Sequence, residues 1–265
     1  MTFTETSVRT EWGAELTVFA EDASHFGDFL TTGVSWAHET RLLRELVLPG
    51  MTVFDVGANL GYCASLFADR VGPAGLVVAL EPEPVMADLL DRNMRSNGHE
   101  CVRVVRAAAG GAPGTTALWR SGTNLACHST NVDLVPAVTG RVEVSVTTVD
   151  DLAGQWGAPD VVKIDVEGWE WSVLCGMRAT LRRHPLLWLE FWPDGLRANG
   201  HDPHGLPRAL DRAGYDVTMV DLLTGARTPA TDTDPVAYCD RMGEDFRRAG
   251  RTDLYGIVYL LARPR

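Results

Sequence analysis

Lys163 and Asp165 lie two positions apart in the run Asp160-Val-Val-Lys-Ile-Asp165. If that run is a strand, both side chains share one face. Glu167 follows beside Gly168, which permits a turn, and Glu190 sits inside the apolar run from Pro185 to Trp192. Carboxylates next to an ammonium at strand ends can orient a hydroxyl or take its proton. They can equally be an ion pair that only neutralises a buried sheet end. Asp165, Glu167 and Glu190 could also hold a divalent cation through oxygen; no complete cage is visible, so a metal is left open and not predicted. Lys163 is the one lysine among the 24 basic residues. An arginine, with its larger planar head, would not replace a buried ammonium there.

A second set of residues points to a cofactor. Val53-Phe-Asp-Val-Gly-Ala-Asn-Leu-Gly-Tyr62 runs from an apolar stretch into a helical pattern. Gly57 and Gly61 would let the backbone turn sharply and approach a ligand at a strand's carboxyl end. Glu81 follows 26 residues after Asp55, placed to accept hydrogen bonds from ribose hydroxyls. A nicotinamide dinucleotide calls for G-x-G-x-x-G, whereas the spacing here is G-x-x-x-G, and Asp55 would repel a pyrophosphate. The same acid favours a cofactor carrying an ammonium and a sulfonium, which is S-adenosylmethionine. A nicotinamide oxidoreductase and a catalytically inert binding module are the readings from other classes.

These residues need a scaffold, and hydrophobic periodicity supplies one. Helical spacing covers 38–47, 61–70, 85–96, 149–155, 168–183 and 205–213, with another helix expected at 235–249. Strand candidates are 16–19, 51–56, 76–80, 102–106, 160–165, 186–191, 215–222 and 254–261. Phe26–Leu30 reads as a loop or cap, and 115–119 with 142–147 as a hairpin. The alternation predicts an α/β fold: a doubly wound, mostly parallel seven-stranded sheet whose last strand, reached without a core helix, is antiparallel. Residues 1–49 are expected to form an N-terminal extension and cap. Residues 50–265 are expected to form the main domain, with insertions at 110–147 and 224–253.

Composition narrows the partners. The chain has 265 residues and a formal net charge of −11, which disfavours a nucleic-acid partner. No cationic leader followed by an apolar stretch opens the sequence, and no apolar run is long enough to span a membrane. Cys63, Cys101, Cys127, Cys175 and Cys239 are odd in number and never spaced as Cys-x-x-Cys. That disfavours structural zinc and a disulfide framework. The expectation is a cytoplasmic protein acting on a small-molecule acceptor, away from membranes, with its oligomeric state open.

Three ordered motifs resemble the FkbM-type methyltransferases: Phe54-Asp-Val-Gly-Ala-Asn-Leu-Gly-Tyr62, Leu80-Glu-Pro-Glu-Pro84 and Val162-Lys-Ile-Asp-Val-Glu-Gly-Trp-Glu170. The Gly27–Gly50 lead-in, Val146–Leu152 and Leu189-Glu190 also fit, so the resemblance covers roughly residues 25–220. It implies a Rossmann-like class I methyltransferase sheet that binds S-adenosylmethionine, often for O-methylation of a sugar, polyketide or other secondary metabolite, as in antibiotic biosynthesis. N-methylation, or methylation of RNA or protein, is the alternative on the same fold. The cofactor set it implies is Asp55, Gly57, Asn59, Gly61, Tyr62, Glu81 and Pro82, with Ala107 and Ala108 near the adenine. Departures are Trp169, Trp171 and the 224–253 insertion.

The catalytic candidates are Lys163, Asp165 and Glu190. Glu167, Trp169, Trp192 and His128 are the candidates for acceptor binding. Trp169 and Trp192 could form an aromatic wall or simply pack in the core, and Trp188 reads as core. His201 and His204 read as a surface pair in a Gly/Pro-rich loop, with a histidine base there left open. Asn93 and Asn97 read as a packing residue and a helix C-cap.

Overall fold

The computed structural model describes residues 4–20, 29–251 and 255–265. The chain opens with a hairpin, β1 (Glu5–Arg9) and β2 (Glu15–Phe19), and then α1 (Ala37–Leu46). Alternation follows through β3 (Thr52–Val56), α2 (Tyr62–Val71), β4 (Leu76–Leu80), α3 (Pro84–Ser96) and β5 (Val102–Val105). A side sheet comes next, built from β6 (Ala108–Ala109), β7 (Gly114–Ser121) and β8 (Val138–Thr147). Then come α4 (Val149–Trp156), β9 (Val161–Ile164), α5 (Glu170–Cys175), α6 (Arg178–Leu181) and β10 (Leu186–Phe191). The last elements are α7 (Pro193–Ala198), α8 (Gly205–Arg212), β11 (Tyr215–Val220), β12 (Arg227–Pro229), α9 (Pro235–Arg248) and β13 (Val258–Pro264).

The main sheet has the order β12-β11-β13-β10-β9-β3-β4-β5. β10, β9, β3, β4 and β5 pair in parallel, and β13 is inserted antiparallel between β10 and β11. This is the doubly wound, mostly parallel sheet that the alternation predicts. It has eight strands rather than the expected seven, because β12, inside the 224–253 insertion, pairs with β11. Strand order reverses between β3 and β9, and ligands bind at such a switch point. Asp55 and Lys163 are direct partners across it.

Alternation along the strands divides the core. Val53, Val77, Val161 and Trp188 pack on the face covered by α1, α2 and α3, while Phe54, Val78, Val162 and Leu187 pack on the opposite face. Asp55, Lys163 and Glu190 each lie two residues from one of the first set and Asp165 lies four from Val161, so all four are directed to the α1 side.

Several local expectations shift. The helix expected over 168–183 is broken at Gly176, where a Cβ would lie 1.9 Å from the carbonyl oxygen of Gly110. The Asp150 carboxylate then accepts from the Ala179 and Thr180 N–H groups at 2.8 and 2.7 Å, starting a new turn. Pro193 at the first turn of α7 starts a helix that was not anticipated. The last strand begins at Val258; Leu254 lies outside the described residues, as do Phe26–Asp28 of the expected loop, while Phe29 is buried in a helical turn. Asn97 is the C-cap of α3, and it also pairs with the backbone of Glu15 through both N–H and C=O. Asn93 does the same with Thr17. The two amides, one turn apart on α3, thus act as a substitute strand along the edge of β2. No helix among the described residues is long and apolar enough to cross a membrane.

Candidate active site

A cavity of about 1610 Å³ opens along the carboxyl ends of β3, β4, β9 and β10 and is roofed by residues 34–45. Ligand sites typically enclose about 300–1,000 Å³, so there is room here for two molecules side by side.

At its β4 end, Glu81 is buried and lines the cavity. Its carboxylate accepts from the backbone N–H of Asn59 and of Glu83, each at 2.8 Å. Burial raises this acid to about 7 against those two hydrogen bonds. Asn59 holds the corner together: at φ 50° it aims its N–H at Glu81, and its amide donates to the Leu125 carbonyl at 3.2 Å. Pro82, Ala107 and Ala108 complete the wall, leaving a slot with little side-chain bulk. Carboxylate lone pairs at a strand end, a backbone turn and small residues beyond them fit the ribose and adenine of S-adenosylmethionine.

At the β9 end the picture is acidic. Lys163 Nζ lies 3.2 Å from Asp55, 3.5 Å from Asp165 and 3.2 Å from the Gly57 carbonyl. Burial pulls this ammonium down, but Asp55 and then Asp165 outweigh it and hold the lysine well above its ordinary value. Tyr259 donates its O–H to Asp165 at 2.8 Å and stacks on Trp188, with ring centroids 4.9 Å apart. Glu190 accepts from the Glu167 N–H at 3.2 Å. Burial, then Glu167 and Asp165, push Glu190 well above the usual carboxylate range. Burial and Asp165 do the same to Glu167. Glu170 accepts from the N–H groups of Val166 and Gly168, and burial raises it to about 7.

The structure brings Lys163, Asp165, Glu167, Trp169, Glu190 and His128 to one cavity, which Gly57 and Tyr62 also line, while Asp55, Gly61 and Trp192 lie outside its lining. Asp55 does not face the cavity; it is fully buried behind the wall, so Lys163 stands between its charge and any cofactor. Gly61 serves helix packing: a Cβ there would strike Leu90 and Met94 of α3 at 2.6 and 2.8 Å. Gly57, at φ 82°, is required because a Cβ would sit 1.8 Å from the Asp165 carbonyl, so it serves a close approach of strand ends. The Tyr62 hydroxyl is occupied by the roof, accepting from the Ser35 N–H at 3.0 Å and lying 2.9 Å from Thr40 Oγ1. Trp192 is core, buried against Gly195 and tilted on Tyr255 at 5.1 Å. His204 bridges the exposed Asp202 and Asp234, and His201 lies by Trp171, both away from the cavity.

Glu39 and Tyr259 line the same cavity without having been anticipated. Glu39 accepts from Trp188 Nε1 at 2.7 Å, and burial raises it to about 7 although Lys163 opposes the shift. A signal for it existed: Glu39 shares the helical stripe of Leu42, Leu43 and Leu46, where an acid has no solvent. Tyr259 had none, because its place depends on β13 sliding between β10 and β11.

Comparison with known proteins shows the family. The model of the FkbM methyltransferase domain matches residues 55–217, more than half of the chain. The chain belongs to the FkbM methyltransferase family. This methyltransferase domain is similar to hexuronic acid methyltransferase AglP of Haloferax volcanii, 27% identical over 69% of this chain and 70% of that protein. It is 29% identical to methyltransferase sdnD of Sordaria araneosa over 63% of this chain and 74% of that protein. A shorter stretch is 34% identical to a protein-L-isoaspartate O-methyltransferase of Methanopyrus kandleri, covering 29% of this chain. The match spans 34% of that relative's length.

Proposed function

We propose that this FkbM-family chain is an S-adenosylmethionine-dependent O-methyltransferase whose acceptor is a hydroxyl of a small metabolite: a sugar, a nucleoside or a polyketide-type product. The observation that carries the reading is the meeting of Asp165 and Glu190 with the Glu81 corner in one cavity. The relative named for hexuronic acid methylation supports a sugar-like acceptor. The net charge of −11 speaks against nucleic acid.

When bound, S-adenosylmethionine supplies a methyl group already activated on sulfur, so the chain's task is positioning and proton removal. Glu81 and Asn59 fix the ribose end. Lys163 and Tyr259 lock the Asp165 carboxylate through Oδ2, and Asp165 Oδ1 makes no hydrogen bond among the described residues. Asp165 takes the acceptor's proton as the new C–O bond forms and the C–S bond breaks, yielding a methyl ether and S-adenosylhomocysteine. Glu190, held toward its protonated form, orients the acceptor as a donor. Trp169 lines the same space and offers a flat apolar contact.

Asp165→Asn keeps shape and removes the base. Turnover with a panel of sugar and nucleoside acceptors should fall about 10²–10⁴-fold, while calorimetry shows S-adenosylhomocysteine still binding. Full turnover in this variant removes Asp165 from catalysis, and binding of NAD in place of S-adenosylhomocysteine overturns the whole reading.

A further inference from the structure

A second, smaller recess of about 480 Å³ opens beside the roof of the cavity. It is lined by His38 and Arg41 of α1 and by Val220, Thr224, Gly225 and Arg227, which run from the end of β11 through a turn into β12. His38 and Arg41 are three apart on the helix, so they stand on one face. Both also line the main cavity, so the two spaces meet at these side chains. Glu39, next to His38, leads on to the proposed base. It holds Trp188, which stacks on Tyr259, whose hydroxyl donates to Asp165.

The turn is fixed from within. Asp221 Oδ1 accepts from the Leu223 and Thr224 N–H groups at 2.8 and 3.2 Å, and Oδ2 accepts from the Tyr238 hydroxyl at 2.7 Å. The Gly225 N–H donates to the Asp221 carbonyl and the Ala226 N–H to Thr224 Oγ1. At φ 73°, Gly225 lets the His38 ring lie against the backbone; a Cβ there would be 2.6 Å from Nδ1. The backbone donors of the turn are thus spent, and a ligand in the recess is left to the side chains.

Those side chains are unbalanced in charge. The chain carries 35 acids against 24 lysines and arginines, yet no acid among the described residues lines the recess, while two guanidinium groups and an imidazole do. Elsewhere arginines find carboxylates at short range, as Arg44 does with Glu11 and Arg197 with Asp240, both at 2.8 Å. Arg41 makes no hydrogen bond or ion pair among the described residues. Arg227 approaches Glu45 only at 4.0 Å, with both side chains exposed, and such a pair holds its partners weakly. An unbalanced cationic recess concentrates anions locally even on an acidic protein.

We propose that this recess takes a phosphate group carried by the acceptor, so that the methylated hydroxyl belongs to a phosphorylated metabolite. Arginine donors arriving from two separate elements suit a tetrahedral group with oxygens in several directions, whereas a planar carboxylate is covered by one guanidinium fork. The 224–253 insertion, a departure from the family pattern, supplies Arg227 and most of the turn, and so makes the recess. The methylation of such an acceptor rests on the O-methyltransferase reading; the binding of phosphate does not.

The test is calorimetry on the full chain saturated with S-adenosylhomocysteine, titrated with inorganic phosphate, glucose 6-phosphate and uridine monophosphate, beside glucose and uridine. At least one ester should bind below about 1 mM and at least about tenfold tighter than its unphosphorylated parent. Which ester does so tells a sugar phosphate from a nucleotide. Arg41→Gln and Arg227→Gln should each weaken inorganic phosphate and that ester about tenfold or more, without changing the parent. Arg248→Gln makes the same charge change on the exposed face of α9 and should leave all of them unchanged. Retained S-adenosylhomocysteine affinity certifies that a variant is folded. Absence of any preference for phosphate, or a preference that survives both arginine variants, overturns the phosphate recess. Methyl transfer to an unphosphorylated hydroxyl would then leave the proposed function standing. Conversely, arginine-dependent phosphate binding with no hydroxyl of any acceptor methylated tells against that function and leaves the recess intact.

Discussion

The two ends of the cavity use the same kind of residue in opposite ways. At the Glu81 end one buried carboxylate is met by two backbone donors at 2.8 Å, and its neighbours are alanines and a proline. At the Asp165 end carboxylates face carboxylates, with Lys163 and Tyr259 as the cation and the phenol beside them. The first end is complete as built and needs only a hydroxyl-bearing ligand to accept from. The second crowds acids together, and burial and their mutual repulsion hold Glu167 and Glu190 above the usual carboxylate range. Rigid, satisfied groups suit a cofactor that never varies, and an unsatisfied cluster suits the place where charge changes during reaction.

The largest expected effect comes from removing the charge balance at the second end. Lys163→Ala leaves Asp55 buried without a partner, and denaturant unfolding should show a loss of about 3–5 kcal/mol. A loss under about 1 kcal/mol would mean that Asp55 is not charged in the folded chain and that the two ends differ less in their charge balance.

Next comes Glu39, raised from 4.5 to about 7 chiefly by burial. Within that window the folded chain binds a proton that the unfolded chain has released. The stability contributed is therefore full below 4.5 and lost as the pH rises through about 7. Glu39→Gln keeps an oxygen for Trp188 Nε1 and removes the titration. Its stability relative to the parent should rise by up to about 3 kcal/mol from low to neutral pH. Parallel pH profiles of melting temperature for parent and variant would place the proton elsewhere.

The smallest effect separates the two ends directly. Glu81→Gln should weaken S-adenosylhomocysteine by roughly tenfold to a hundredfold, the worth of a hydrogen bond to a charged group. Glu190→Gln should change that affinity less than about threefold. Equal losses in the two variants would merge the two halves into one site.

Much of this was legible in the chain. The short apolar runs at Val53, Val77 and Val161 set the sheet, and Glu81 was read beside the Asp55 turn whose corner it shares with Asn59. Lys163 and Asp165 read correctly as one face because strand periodicity is strict. What the sequence hid was the depth of each group. Asp55 reads as a ligand-facing acid until its strand partner proves to be Lys163, and a partner across a crossover is not local information. Gly57 and Gly61 look like one motif but answer to different neighbours, the Asp165 carbonyl and the α3 side chains. Trp169 and Trp192 occupy similar places after their strands; β13 and its approach bury the second, while the first reaches the cavity.

The Glu39–Trp188 hydrogen bond also sets a timetable for biosynthesis. Its two partners are 149 residues apart in the chain. At a ribosomal pace of about 5–20 residues per second, α1 is made roughly 7–30 s before the indole that receives it exists. During that interval Leu42, Leu43 and Leu46 can meet only the early strands β3, β4 and β5, not β9 or β10. The roof over the reaction chamber is made long before the strand that anchors it, so a chaperone binding site on the nascent chain is to be sought first along that helix.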